Sequence, residues 1–349
     1  MQINDFKYVP VLRYRQEERK AILSTAISNK MLPLIEIVTE KLRSNSRDDI
    51  ITSFVNDFGQ FNTCIMLDFP LYLTLTNQTK SAVRNFINPI KVNPASRVNL
   101  FLNQQLLSLS HIIPVVTYDP TVPYQPGQVT HQEQLLRPHY KVLAFRIFPN
   151  HLTQITQEMS SVIKDGDIVI FDIDEASHYH PSIRSNYPIV QAINPNVNYK
   201  TVLLRSAIPR DLTNVGLANG QIVQEADNSL KTDYVNFGFN AFGDYAGVKK
   251  DNLTDGGIIS PGYLMYSWNS NCYYGFNGIL KQAHTFETMV VPTIINSQVW
   301  NEYNNTHKQS CMGCSAIIQI SNGTKSGNSQ PEWKGFAIGH YLYTMEEFL

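Results

Sequence analysis

The sequence predicts an α/β fold of the TIM-barrel type, a (β/α)8 barrel followed by a C-terminal extension rich in aromatic residues and glycine. Three observations indicate this class. Eight short apolar runs, rich in β-branched and aliphatic residues, are typical of strands buried on both faces of a parallel sheet. Amphipathic segments separate these runs, as in successive βα units. Most runs end at a charged residue, and barrels carry their functional groups at the C-terminal ends of their strands.

The predicted strands follow the apolar runs in chain order. Pro33 has no amide donor, so it is expected at the very start of the second strand. The turn Lys164-Asp165-Gly166 introduces the sixth strand, and the eighth strand is the least regular. The runs span residues 8–13, 32–36, 64–68, 112–119, 142–146, 168–172, 201–205 and 234–244.

The helices are predicted from apolar stripes between the strands. In the segment 47–58, Ile50, Ile51, Phe54 and Val55 recur at the spacing of one helical face. The stretch between the third and fourth strands is longer than one barrel helix requires, and it is expected to hold two helices. The predicted helices lie in residues 15–30, 47–58, 79–87, 99–107, 132–138, 151–163 and 181–193, with a further short helix in residues 220–231.

The βα rhythm breaks near Gly247, which divides the chain into a barrel of residues 1–247 and an extension of residues 248–349. In the extension, residues 264–268 and 272–276 predict a hairpin that turns at Asn269-Ser270-Asn271. A further helix is predicted near residues 284–303. We expect the extension to pack on the barrel.

Composition excludes several classes of protein. The chain has 349 residues, of which 43% are hydrophobic, and its net charge is −1, so nothing global draws it to nucleic acid or to an anionic membrane. No apolar run approaches the ~18–20 residues of a membrane helix. Four cysteines are too few for a disulfide scaffold, and the polar N-terminal segment is unlike a signal peptide. These features predict a cytoplasmic, reduced protein.

Charged side chains at the predicted strand ends are expected to converge at one barrel mouth. Asp174 lies two residues beyond Asp172, so it is expected to share a face with it. The strand-end set consists of Arg13, Glu36, Asp68, Arg146, Asp172, Arg205 and Asp244.

The chemistry of this set suggests a metal-assisted phosphoester or nucleotide site. Crowded carboxylates need a cation or a proton to coexist, and a hard divalent cation, Mg²⁺ or Mn²⁺, suits oxygen ligands. The candidate metal ligands are Glu36, Asp68 and Asp174, with Asp172 beside them. Arginines grip phosphate in bidentate fashion, and the candidates for this role are Arg13, Arg146 and Arg205. The alternative is a set of interlocking salt bridges that closes the top of the barrel.

The sequence contains no G-x-S-x-G motif, which would indicate a serine nucleophile. It also contains no P-loop and no G-x-G-x-x-G pattern, which would indicate a phosphate-binding loop. Asp172, Asp244 and His178 are the candidate acid or base residues, although an exposed loop histidine is the more common explanation for His178. Ser206 follows Arg205 and is a candidate ligand-binding hydroxyl without an assigned base.

A CxxC pattern and an aromatic cluster complete the candidates. Cys311 and Cys314 form H-x3-C-x2-C with His307, and a fourth zinc ligand would have to be His340 or His284. Two ordinary thiols in a loop that enters a strand are favoured over zinc. The aromatic residues are Tyr263, Tyr266, Trp268, Tyr273, Tyr274 and Phe276. They suit a stacking platform or, more commonly, the buried face of a hairpin. The absence of Lys and Arg between residues 258 and 278 argues against an extended nucleic-acid groove there.

Four short stretches carry a resemblance to a known family. The opening YVPVLRYRQEERKAIL with LPLIEI, the segment LLRSAIPRDL, the pair FGDYAG and SPGYLMYS, and the final GHYLYT resemble the Beta protein family of bacterial and phage proteins. Tyr341 stands where the family usually has a second histidine. The resemblance implies a barrel-like fold and a place among genes of phage–host conflict, but no established activity.

Two functions are therefore expected as alternatives. The first is metal-assisted action on, or binding of, a phosphorylated small molecule or nucleotide at the strand ends. The second is a non-catalytic recognition protein of phage defence or counter-defence, which would bind a protein partner. Crowded carboxylates favour the first, since a docking module has no need of them inside a barrel.

Overall fold

Eight parallel strands close into a barrel in the computed structural model, which describes residues 6–254 and 256–349. The barrel strands, numbered in chain order, are β1 Tyr8–Arg13, β2 Leu34–Glu36, β3 Ile65–Asp68, β4 Ile112–Val116, β5 Ala144–Ile147, β6 Ile168–Asp172, β7 Lys200–Leu204 and β9 Ala241–Asp244. Each strand pairs with the next, and β9 pairs with both β7 and β1 to close the ring. The predicted α/β barrel is confirmed.

Helices connect the strands and surround the barrel. The α-helices are α1 Gln16–Leu23, α2 Ile50–Phe58, α3 Ser81–Val92, α4 Pro94–Phe101, α5 Gln104–Leu107, α6 Gln128–Leu136, α7 Leu152–Met159, α8 Pro181–Arg184, α9 Tyr187–Gln191, α10 Leu230–Asp233, α11 Val291–Ile295, α12 Gln298–Asn301, α13 Asn305–Ser310, α14 Met312–Ser321 and α15 Gln330–Phe348. Short 3₁₀ turns occupy Asn214–Gly216 and Tyr234–Phe237, and a π-helical turn occupies Phe286–Val290.

Side chains alternate along each strand between the interior of the barrel and the layer under the helices. The inward positions form an apolar core that includes Val9, Met66, Ile170 and Val202. At the C-terminal ends of the strands this core gives way to buried charged residues. The polar layer therefore lies at the mouth, where barrel strands carry their functional groups.

The eighth predicted run is only partly a strand. Its first residues form the 3₁₀ turn Tyr234–Phe237, and Gly238 follows in the left-handed region at φ 80°. This conformation suits glycine and ends the turn, so the chain becomes extended only from Ala241 to Asp244. A residue type that permits positive φ thus shortens the strand that the apolar pattern predicts.

The segment after the barrel forms a small sheet and a helical cluster. The strands β10 Gly262–Ser267 and β11 Cys272–Asn277 form the predicted hairpin, and the short β8 Gln221–Ile222 pairs with β11. Tyr341 of α15 stacks against Tyr273 of the hairpin and contacts Tyr8 of β1 edge to face. Among the described residues, no helix combines the length and hydropathy that a membrane span requires.

One sequence expectation for this segment is wrong. Cys311 and Cys314 do not lie in a loop that enters a strand, because the apolar stretch after them is the helix α14. Cys311 caps this helix and Cys314 lies in its first turn. A run of Ala and Ile residues fits a buried helix as well as a strand, and here packing against α15 selects the helix.

Candidate functional site

A buried arginine lies at the centre of the barrel mouth and contacts three carboxylates. The Arg146 side chain is fully buried on β5. Its Nη1 donates to Glu36 Oε1 at 2.7 Å and to Asp68 Oδ2 at 3.1 Å. Its Nη2 and Nε both donate to Asp172 Oδ2, at 2.7 and 3.1 Å. The three acids that were expected to share a cation therefore share Arg146.

Further donors complete this floor of the mouth. Arg97, fully buried on α4, donates to Asp68 Oδ1 at 2.7 Å and to the carbonyl oxygen of Phe69. Tyr72 donates to Glu36 Oε1 at 2.7 Å, and Arg13 donates to Glu36 Oε2 at 3.3 Å. Burial alone would raise the pKa of Glu36, but Arg146, Arg13 and Lys250 hold that pKa below its usual range. Glu36 is thus an ionised, hydrogen-bonded anchor.

A cleft of about 600 Å³ opens above this floor. Its wall comes from loops after β1, β3, β4, β5, β6, β7 and β9, which makes it the mouth of the barrel. The volume lies within the range of ligand pockets, roughly 300–1,000 Å³. The polar residues of the wall are Arg13, Tyr72, Thr74, Thr76, Gln78, Thr79, Thr121, Asn150, Asp172, Asp174, Arg210, Lys250, Asp251, Asn252 and Thr254.

Two carboxylates hold the cations of the wall. Asp174 accepts from Lys250 Nζ at 2.9 Å and also pairs with Arg210. Burial raises the pKa of Asp174, but the two cations more than offset this and lower it. Asp251 accepts from Arg13 Nη1 at 2.6 Å. Arg13, Lys250 and Arg210 therefore line one cleft, in which Arg210 is 34% exposed and the other two are largely buried in ion pairs.

Strand alternation separates two predicted site residues from this cleft. Asp244 follows Gly243 on β9 and points to the outer layer, where it accepts from Tyr8 at 2.6 Å and from Tyr341 at 2.5 Å. Arg205 follows the inward Leu204 and likewise points outward. The expectation that both residues converge with the others at the mouth is therefore wrong, because side chains of successive strand residues face opposite sides.

Arg205 and His178 form a separate outer cluster. Arg205 Nη1 donates to Asp227 Oδ2 at 2.5 Å and lies 3.5 Å from His178 Nδ1. His178 Nε2 lies 3.6 Å from Asp233 Oδ2. Burial and the neighbouring Arg205 lower the pKa of His178. Ser206 is buried beneath this region and donates to the carbonyl oxygen of Ile208 at 3.1 Å. His178, Asp244 and Ser206 do not line the cleft. A functional role for them stays a prediction.

The divalent cation also stays a prediction. Among the predicted metal ligands, Glu36 and Asp68 are fully buried against arginines, whereas the Asp174 side chain is 46% exposed in the cleft. Asp172 lines the cleft as well. An oxygen-liganded cation would therefore find Asp174 exposed, whereas Asp172 is fully buried and already pairs with Arg146.

Four of the six aromatic residues of the hairpin belong to the protein core, as the more common interpretation of their pattern predicts, whereas Trp268 and Tyr274 are half-buried. Tyr263, Tyr266, Tyr273 and Phe276 are each at most 2% exposed. Tyr263 packs edge to face on Trp333 of α15. Within the described part of the chain, these four rings are thus occupied by packing and are not a stacking platform.

Several residues at the mouth carry little or no signal in the sequence. Arg97 comes from a helix in the long segment after β3, and no local pattern marks it. Tyr72 lies just after β3, and the guanidinium carbon of Arg146 lies 4.5 Å from the centre of the Tyr72 ring. Lys250 and Asp251 follow the last barrel strand in a polar run, which is the one available signal for them.

Comparison with known proteins gives a family and nothing finer. The family model described as Beta protein matches residues 8–346. No curated protein and no solved structure matches the chain significantly. The match runs from the first barrel strand into the last helix, so it covers both the barrel and the hairpin with its helices. The chain therefore belongs to the Beta protein family.

Proposed function

We propose that the protein binds a phosphorylated small molecule or a nucleotide in the cleft at the barrel mouth. The observation that carries the proposal is the convergence of Arg13, Lys250 and Arg210 on one cleft of about 600 Å³. Guanidinium and ammonium groups are the side chains that recognise phosphate. Asp174 and Asp251 form ion pairs with these cations, and a phosphate would replace or bridge these contacts.

The buried floor supports this proposal by fixing the geometry. Arg146 holds Asp172 at the base of the cleft through two hydrogen bonds, and Glu36 and Asp68 fix Arg146 in turn. In this view Arg146 is a positioning residue, since its side chain is fully buried and its donors are engaged. Arg13 is the predicted phosphate ligand that retains this role.

The metal-assisted form of the proposal rests on Asp172 and Asp174. These carboxylates would hold a Mg²⁺ or Mn²⁺ ion, whose positive charge would offset the repulsion between the acids and an anionic ligand. Lys250 and Arg210 keep Asp174 ionised and therefore available as a ligand. A ligand that is turned over would find Asp174 as the exposed acid of the cleft, since Asp172 is fully buried.

The test is a thermal-shift screen of nucleotides and sugar phosphates with and without Mg²⁺ or Mn²⁺. A ligand that binds the folded state raises the melting temperature by mass action. We expect a rise that is lost in Arg210→Gln and in Lys250→Met. Arg47→Gln is the matched control, because Arg47 is exposed and lies outside the cleft wall. A screen without any shift, or equal shifts in all variants, contradicts the proposal. A shift that needs the metal supports its metal-assisted form.

Partner recognition without catalysis is the second candidate, and one surface feature favours it. Ile258, Ile259, Ile279 and Leu280 are each at least 42% exposed. The backbone hydrogen bond from Lys281 to Ile259 brings the two segments together. Capture of a specific protein by wild type, lost in Ile259→Asp/Leu280→Asp with unchanged melting temperature, would support this function.

We also propose a setting in phage–host conflict, which rests on the family resemblance alone. Plaque counts on cells that express wild type or Arg210→Gln test this setting directly. Equal plaque counts with and without the protein, over a panel of phages, argue against it.

A further inference from the structure

Four potential metal ligands meet among the C-terminal helices, far in sequence from the mouth cleft. They are His307 of α13, Cys311 and Cys314 at the start of α14, and His340 of α15. One ligand atom from each residue lies within 4.8 Å of every other. All four side chains are buried, none of them more than 1% exposed. This set, the C-terminal Cys/His cluster, plays no part in the function proposed above.

The distances fit a tetrahedral ion. His340 Nδ1 lies 3.7 Å from Cys311 Sγ and 3.5 Å from Cys314 Sγ. Zinc bonds of about 2.3 Å to sulfur and about 2.0–2.1 Å to nitrogen, at tetrahedral angles, place such atoms about 3.6 Å apart. His340 Nδ1 therefore already lies at zinc-ligand spacing from both sulfur atoms, and every pair of ligand atoms in the cluster is within 4.8 Å.

Each histidine is oriented by a partner on its other nitrogen. His307 Nδ1 lies 2.5 Å from Glu347 Oε2, and His340 Nε2 lies 2.9 Å from the carbonyl oxygen of Tyr266. These acceptors place a proton on the nitrogen that faces away from the cluster. Metal-bound histidines nearly always donate their outer N–H to a carboxylate or a backbone carbonyl in this way.

One ring nitrogen of the cluster, His307 Nε2, has no hydrogen-bond partner among the described residues. This nitrogen is also buried. A buried polar nitrogen without a partner destabilises the folded protein. Metal coordination would satisfy this nitrogen. The two thiolates would neutralise the charge of Zn²⁺, so a buried ion leaves no net charge in the cluster.

The backbone at the start of α14 allows this helix to pack closely against α15. Cys311 and Cys314 are held together at the start of α14, where the amide of Cys314 donates to Cys311 Sγ at 3.4 Å. Gly313 between them faces α15, and a Cβ at this position would lie 2.2 Å from the carbonyl oxygen of Phe336. Only glycine allows α14 to approach α15 so closely without a shift of the backbone.

We propose that His307, Cys311, Cys314 and His340 bind a structural zinc ion that joins α13 and α14 to α15. Four protein ligands leave no open position for substrate, which is the arrangement of a structural rather than a catalytic site. Through Tyr266 and Glu347 the ion would also tie the hairpin and the end of α15 to the same point. The soft Cys₂His₂ donor set selects zinc over Mg²⁺ or Mn²⁺.

The test is the metal content of the full-length chain, purified under reducing conditions from zinc-supplemented cells. Elemental analysis is expected to give about one zinc per chain. Cys311→Ser and Cys314→Ser should lose this zinc. Cys64→Ser/Cys272→Ser, which removes two thiols outside the cluster, should keep it. Replacement by Co²⁺ should give the visible bands of a tetrahedral site with thiolate charge transfer.

The wild-type measurements decide the matter even where a cysteine variant fails to fold. Wild type without stoichiometric zinc, and without a tetrahedral cobalt spectrum after reduction and addition of Co²⁺, overturns the proposal. Stoichiometric iron or copper in place of zinc overturns it too, as does a Cys311–Cys314 disulfide in the metal-free chain. None of these outcomes bears on ligand binding in the mouth cleft.

Discussion

Replacement of Arg146 by methionine removes the shared cation of three buried carboxylates while keeping most of the side-chain volume. Glu36 would retain Arg13 and Tyr72, and Asp68 would retain Arg97. Asp172 Oδ2 loses both of its hydrogen bonds, because its described donors at this atom come from Arg146 alone. The cost is therefore mainly that of one buried carboxylate left without its partner.

The expected loss is about 3–5 kcal/mol in the free energy of unfolding, the usual cost of breaking a buried ion pair from one side. Urea denaturation of Arg146→Met against wild type at pH 7.5 measures it. Arg146→Met/Asp172→Asn should recover more than half of the loss, since the uncompensated charge is gone. Arg19→Met is the matched control: Arg19 is one-third exposed, and its pair with Asp57 should contribute only about 0–1 kcal/mol.

The dependence on pH gives a second readout with a definite sign. In Arg146→Met the folded protein should take up a proton more readily than the unfolded chain, so its stability falls as pH rises above about 4. In wild type the pKa of Glu36 is lowered, so this group contributes stability that is lost as pH falls below about 4. A variant within 1 kcal/mol of wild type, with an unchanged pH slope, would refute this account of the floor.

Three further predictions concern other parts of the chain. Burial raises the pKa of Asp244 to about 6, so wild type should lose about 3 kcal/mol between pH 4 and 6 as this acid ionises, and Asp244→Asn should remove that slope in urea denaturation. Burial lowers the pKa of Lys231 to about 8, and its Nζ lies 3.4 Å from the ring centre of Trp268. Tryptophan fluorescence should therefore show a step near pH 8 that Lys231→Met abolishes. Gly313→Ala should cost about 1–3 kcal/mol and release zinc more easily, because its methyl group would strike Phe336; unchanged zinc retention would contradict this.

The sequence predicts the barrel well because its strands are buried on both faces. Such strands appear as continuous apolar runs, and Ile168–Asp172 matches its predicted run at both ends. The same property hides the direction of each side chain. Arg146 and Arg205 both follow apolar residues, yet one faces the interior and the other the outer layer. A strand residue faces the interior when it lies an even number of positions from another inward residue. In a continuous apolar run, the sequence does not show which residues are inward.

Contacts between distant segments are the part that sequence could not supply. Arg97 reaches Asp68 from a helix whose pattern shows only an ordinary amphipathic stripe. His340 was one of two possible partners for the CxxC pair, because spacing along the chain does not reveal how α15 crosses α14. The packing of those helices selects it over His284, which is exposed.

The position of α15 has a consequence for how the chain folds during its synthesis. Its Tyr341 covers Asp244 beside the seam where β1 and β9 close the barrel. A ribosome completes β9 long before it reaches α15. A barrel that folds before α15 is made would therefore expose this seam and Asp244 to water. Factors that shield nascent chains are expected to matter most during that interval.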